Sequence, residues 1–138
     1  AASERALVAR ICGRIDEDTA TLEADEQAEY LETMGLTEPG LNRMILESYR
    51  LLDLITFFTA GEQEVRAWTV RSGSLAPKAA SEIHTDIERG FIRAEVTAYD
   101  DFTAAGSMNA AKDAGKMRLE GKEYVVQDGD IVYFRFNV

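Results

Sequence analysis

Four kinds of reactive group are scattered through these 138 residues: one histidine, one cysteine, several closely spaced carboxylates and 15 lysines and arginines. His84 and Cys12 are each the only residue of their type, so neither a His/Cys zinc cluster nor an internal disulfide can be assembled. A Ser/His/Asp relay would have to run through His84, whose surroundings read as a binding module rather than a strained nucleophile turn. Asp100-Asp101 and Asp128-Gly129-Asp130 bring carboxylates together, but in turn-like settings where Asp is favoured for its bonds to the backbone. No G-x-x-x-x-G-K-[ST] run occurs, so there is no phosphate cradle of the P-loop kind. The expectation is a chain with no catalytic residue, no metal ligands and no cofactor of its own.

Binding is the chemistry that remains. Arg89 and Arg93 flank Gly90, with Lys78 on a helix shortly before, and these three form the best candidate patch for phosphate. Glu88 and Glu95 dilute it, and a solvated charged surface is the competing reading. Trp68 with Arg66 beside it suits stacking on a base or anchoring a partner; a strand Trp also packs under helices. His84 suits a hydrogen bond to RNA, or a local bond at a helix end. Lys112, Lys116, Arg118 and Lys122 form a second basic cluster.

The elements that must position these groups follow from periodicity. Ile55 to Thr59 and Glu64 to Val70 read as strands about a turn at residues 60–63, with Trp68 on the face opposite Val65 and Ala67. Ser72-Gly73-Ser74 ends the second strand, and Pro77 starts a helix reaching about Ile83. Residues 91–99 form a strand with Ile92, Ala94, Val96 and Ala98 on its buried face and Arg93, Glu95 and Thr97 on the other. Residues 100–115 read as a polar connection with a short helix at 109–114, and Leu119 to Tyr124 as a hairpin. In the last strand Val132, Phe134, Phe136 and Val138 share the buried face. Upstream, Leu7 to Ile11 is a short apolar run ending at Cys12-Gly13, either a strand or a helix start. Residues 16–32 are acidic and helical, Gly35 is a natural stop, and a second helix spans about Pro39 to Leu54. The acidic stretch is either a docking surface or a solvated face. The order of elements is α+β, a mixed sheet with one helix across a face, which is a β-grasp, ubiquitin-like layout.

Charge narrows the partners. Residues 1–54 hold 12 acidic and 5 basic groups, and residues 55–138 hold 13 and 10, within a net charge of −10. A protein driven onto nucleic acid by its overall field is basic, so RNA contact here needs a local patch. No membrane partner and no DNA sequence recognition are expected. The apolar runs are too short to cross a bilayer, and a lone cysteine fits the cytoplasm.

The runs FFTAGEQEVRAWTV, APKAASEIHTD and ERGFIRAEV, closed by LEGKEYVVQDGDIVYFRFNV, resemble the C-terminal TGS domain of the YchF / Obg-like ATPase family. The resemblance implies a division into residues 1–54, a helical segment similar to the tail of a nucleotide-binding domain, and residues 55–138, a TGS domain of β-grasp fold. It implies that Cys12 and Gly13 are the remnant of a loop beside the nucleotide base; a plain strand end with a small thiol is the other reading. The family's N-x-x-E motif is absent. For full-length members the resemblance implies ATP or GTP with Mg2+, a ribosome or RNA partner, and intramolecular contact with the nucleotide-binding domain.

Overall fold

The computed structural model describes residues 6–61 and 64–137. The chain folds as two compact units, Ala1–Asp53 and Leu54–Val138. The first unit is helical: α1 (Gly13–Thr19), α2 (Ala24–Thr33) and α3 (Gly40–Leu51). Leu7 to Ile11 forms neither a strand nor a helix. The acidic stretch is two helices, because Thr19 turns back on the Ile15 and Asp16 carbonyls and the chain bends before Ala24. Gly35 follows α2 at φ +69°, the left-handed stop the sequence suggests. Asp16 of α1 accepts the Gly40 N–H at 2.7 Å, satisfying a donor at the start of α3 that Pro39 has no side chain to meet.

The second unit is a five-stranded mixed sheet in the order β2-β1-β5-β3-β4. Its strands are β1 (Leu54–Ala60), β2 (Val65–Arg71), β3 (Phe91–Ala98), β4 (Arg118–Glu120) and β5 (Asp130–Phe136). β1 and β2 are antiparallel, with Phe57 opposite Trp68; β1 and β5 run parallel, and β3 pairs antiparallel with both β5 and β4. Four short helices join them: α4 (Ala76–Ser81), α5 (Thr85–Arg89), α6 (Tyr99–Ala105) and α7 (Met108–Asp113). Of the expected turn at 60–63, Glu62 and Gln63 lie outside the described residues, as does Val138 of the last strand.

One face of the sheet carries the core. Phe57, Val70, Phe91, Ala94, Val96, Val132 and Phe134 pack with Ala76, Ala79 and Ala80 of α4. Alanines let α4 lie close to the sheet, and Phe134 meets Phe57 edge-on with ring centroids 6.1 Å apart.

The fold departs from the sequence pattern at several places. The register of β3 slips between Phe91 and Arg93, so Phe91 takes the buried place and Ile92 is 56% exposed. Thr97, expected on the solvent face, is fully buried, and its hydroxyl has no partner. Phe136 is 44% exposed rather than buried, although its strand partner Phe91 lies in the core. Residues 119–124 are not a hairpin: β4 pairs with β3, and Val125 bridges Leu75. Tyr99, expected at the end of the strand, and residues 100–105 of the expected polar connection together form α6.

Candidate functional site

The sheet separates the cations that sequence proximity groups together. Ala94 lies in the core beneath α4, so its neighbour Arg93 projects from the opposite face. Lys78 is on α4, where it bonds the Ser81 hydroxyl at 3.2 Å and lies 3.8 Å from Glu82. Arg89 ends α5, 3.9 Å from Asp86. Lys78 and Arg89 are thus helix-side cations matched by acids, and Arg93 does not join them.

His84 is the N-cap of α5. Its Nδ1 accepts the Asp86 N–H at 3.2 Å, so its local role is to satisfy a helix-end donor, with the ring exposed. Trp68 is half-buried against the core, and its Nε1 donates to Thr59 Oγ1 at 2.9 Å. The Arg66 guanidinium lies 4.3 Å from the Trp68 ring centroid. The indole is therefore already packed below, bonded at its edge and covered by a cation, which leaves little open π-face for a base.

Gly90 sits at the α5–β3 junction. Its carbonyl accepts from Asn137 N at 2.9 Å, and a methyl on Gly90 would run into the Asn137 carbonyl. Glycine is required there by the close passage of the last residues of the chain, not by an unusual φ, which is −86°.

In the helical unit, exposed Cys12 is the N-cap of α1, and its carbonyl accepts the Asp16 N–H at 3.1 Å. Cys12 lines an apolar groove of about 320 Å³ with Ile11, Ile15, Met34 and Leu36. Arg43 borders the groove, donating to the Arg10 carbonyl at 3.2 Å, and lies 4.0 Å from Glu38. Gly13, the first residue of α1, is exposed and has open space around its Cα.

The sheet face opposite α4 holds a cluster that sequence proximity does not reveal. Glu95 pairs with both Leu119 and Tyr133, so these three form one row across β4, β3 and β5. Arg93 pairs with Arg135 in the next row. Arg135 Nε donates to Glu95 Oε1 at 2.9 Å, a bond that raises the guanidinium pKa above its ordinary value. The Arg135 guanidinium also stacks 4.4 Å from the Tyr133 ring centroid. Lys112 of α7 and Met117 close the side of a groove of about 320 Å³. The alternation along β5 marks Tyr133 and Arg135 as outward; only the strand pairing shows that Arg135 lies opposite Arg93 and Tyr133 opposite Glu95.

The remaining cations of the second basic cluster are engaged or apart. Lys116 lies 3.1 Å from Asp101, and Arg118 bonds the Tyr124 hydroxyl at 3.0 Å. That hydroxyl donates to buried Asp130 at 2.7 Å, and burial, with this bond second, pushes the Tyr124 pKa up to about 12. Lys122 borders a different surface, beside Gly121 and Glu123. Among the described residues no three His, Cys, Asp or Glu side chains cluster as a metal site, and no helix is long and apolar enough to cross a membrane.

Comparison with known proteins places the chain. A family model described as "YchF-GTPase_C: Protein of unknown function (DUF933)" matches residues 54–137. "Ribosome-binding ATPase YchF" of Haemophilus ducreyi is 59% identical over all 138 residues, and that of Bacillus subtilis 58%. "Obg-like ATPase 1" of Rattus norvegicus is 50% identical over 132 residues, 96% of this chain and 33% of that protein. The solved Schizosaccharomyces pombe YchF GTPase superposes with a TM-score of 0.77 at 39% identity, covering 86% of this chain and 31% of that one. The chain spans 38% of the length of the two YchF relatives. A family match across the whole described sheet, and identity of half or more to YchF and Obg-like ATPases, mean that the chain belongs to the YchF GTPase C-terminal family.

Proposed function

We propose that this chain is the ribosome- or RNA-contacting, regulatory C-terminal portion of a YchF-like nucleotide hydrolase. The observation that carries the reading is near 60% identity, over the full 138 residues, to proteins named ribosome-binding ATPases. Residues 55–138 are read as a TGS domain of β-grasp fold. The strand order β2-β1-β5-β3-β4, with β1 and β5 parallel and α4 across one face, supports that reading. Residues 1–54 are read as the helical tail of a nucleotide-binding domain, with Cys12 and Gly13 on the base side; the groove beside Cys12 supports this.

ATP or GTP with Mg2+ belongs to this reading only through residues outside the 138. The residues present do not fit the phosphates or the ion, since the sequence has no P-loop and the described residues offer no carboxylate cluster. No hydrolytic step is assigned to this chain, and the reading places its work in the cytoplasm.

Co-sedimentation of the chain with ribosomes, at low and at moderate salt, tests the proposal. Salt-sensitive pelleting is expected, together with ATPase activity at background. A second reading makes the chain an intramolecular module that gates its parent's nucleotide site. It is favoured by α3, on which Leu41, Met44, Ile45 and Leu46 are all more than 40% exposed. In that case the chain stays in the supernatant with ribosomes but binds the parent's nucleotide-binding portion.

A further inference from the structure

We propose that the sheet face opposite α4 seats a single-stranded RNA segment, with Arg93 and Lys112 on phosphates and the Tyr133–Arg135 stack against a base. The inference deepens the ribosome-contact reading and rests on it for the partner, while the surface is argued from this structure.

Charge is the first argument. The protein carries −10 overall, yet the groove is lined by three cations and one acid, Glu95. Glu95 is engaged by Arg135, whereas Arg93 and Lys112 have no carboxylate partner among the described residues. The helix-side cations differ: Lys78 has Glu82 and Arg89 has Asp86 within salt-bridge distance. A polyanion therefore meets unmatched positive charge only on the sheet side of this pair of surfaces.

Shape and ring chemistry are the second. Tyr133 is 46% exposed and Leu119 65% exposed at the two ends of their row, whereas Glu95 between them is largely covered and the next row, Thr97 and Ile131, is buried, so the open part of this face is the end that carries Arg93, Tyr133 and Arg135. Arg135 covers one face of the Tyr133 ring much as Arg66 covers Trp68, but Tyr133 is exposed and is not packed against the core, so the outer plane of the guanidinium is the surface offered to the π-face of a base. An acidic protein segment would use the cations but would leave the ring and guanidinium stack without a matching group. A duplex presents its phosphates but keeps its bases stacked away from a flat sheet.

The magnitudes follow from counterion release. With a slope of about −0.7 per neutralised phosphate on single strands, one contact contributes about 4-fold in affinity at about 0.15 M salt. Loss of two contacts lowers affinity about 15-fold and makes the salt slope shallower by about 1.4. Removing the stacking ring costs about 10-fold and leaves the salt slope unchanged.

The test measures fluorescence anisotropy of a labelled uridine dodecamer with the intact chain, beside ribosome co-sedimentation of the same samples. The variants are Arg93→Glu/Lys112→Glu, Tyr133→Ala, and Lys78→Glu/Arg89→Glu as the helix-side control. All five positions are solvent-exposed, and thermal melting checks that each variant folds as wild type. The first variant is expected to lose affinity and slope together, the second affinity alone, and the control neither. Undiminished dodecamer binding in both sheet-face variants, or no dodecamer binding by wild type, overturns the proposal. Ribosome pelleting that persists in the sheet-face variants sinks this surface and spares the ribosome reading. Dodecamer binding through the sheet without wild-type pelleting spares the surface and sinks that reading.

Discussion

Replacing Asp130 by alanine should unfold the sheet unit at markedly lower urea. Asp130 is 2% exposed, yet its Oδ2 accepts the Tyr124 hydroxyl at 2.7 Å and the Gln127 N–H at 2.9 Å. Its Oδ1 lies 3.7 Å from Arg118 Nη2. One carboxylate thus ties the first strand residue of β5 to β4 and to the loop between them. Hydrogen bonds to charged groups contribute about 1.5–3 kcal/mol each, but Tyr124 is half-exposed and can turn to water when its acceptor is lost. Taking the low end for both bonds gives a cost of about 3 kcal/mol for Asp130→Ala. Asp130→Asn keeps one acceptor oxygen without the charge, and should cost about half as much. In a double-mutant cycle with Tyr124→Phe, a coupling of about 1.5 kcal/mol is expected, since the two groups share a bond. Equilibrium urea unfolding reads these values, with Trp68, the only tryptophan, reporting on the sheet unit. An Asp130→Ala midpoint equivalent to less than about 0.5 kcal/mol from wild type would refute the reasoning.

Three further outcomes follow from the same structure. Gly90→Ala should lower stability by about 1–2 kcal/mol in thermal melts: overpacking against the Asn137 carbonyl outweighs the smaller gain from a less flexible unfolded chain. Thr97→Val should raise stability by about 1 kcal/mol, because the variant keeps the shape and removes a buried hydroxyl without a partner. Tyr124 holds its proton more tightly folded than unfolded, with its pKa raised from 10.0 to about 12. Its contribution is therefore complete below pH 10 and is lost as pH rises towards about 12. The loss is about 1 kcal/mol once solvent screening of this half-exposed group is allowed for, and Tyr124→Phe should flatten that part of a stability–pH curve.

The strands were legible because their alternation is strong. Val132 and Phe134 inside, with Tyr133 and Arg135 outside, read directly from β5 and hold in the fold. Ile92 misled because one extra residue in a bulge moves a side chain to the other face, and no residue type in 91–93 announces the slip. α6 is not legible in the sequence because seven residues mixing Asp, Thr and Ala with two aromatics give too short a window for a helical period. The patch of Lys78, Arg89 and Arg93 rested on nearness in sequence, although the alternation with Ala94 already turns Arg93 away from the helices. That Arg93 shares a groove with Arg135 and Lys112 instead depends on pairing between strands some 40 residues apart in sequence, which no local pattern encodes. His84 and Trp68 show the reverse: each suits a ligand by type, and each has a local structural task.

The most direct test of the central claim is co-sedimentation of this chain with purified ribosomes, at low and moderate salt, beside Arg93→Glu/Lys112→Glu. Pelleting that weakens with salt and is lost in the variant is the predicted result, and it would place the ribosome contact on the open sheet face. Absence of the wild-type chain from the pellet at both salt concentrations would contradict the claim and favour a module that works only against its own nucleotide-binding domain.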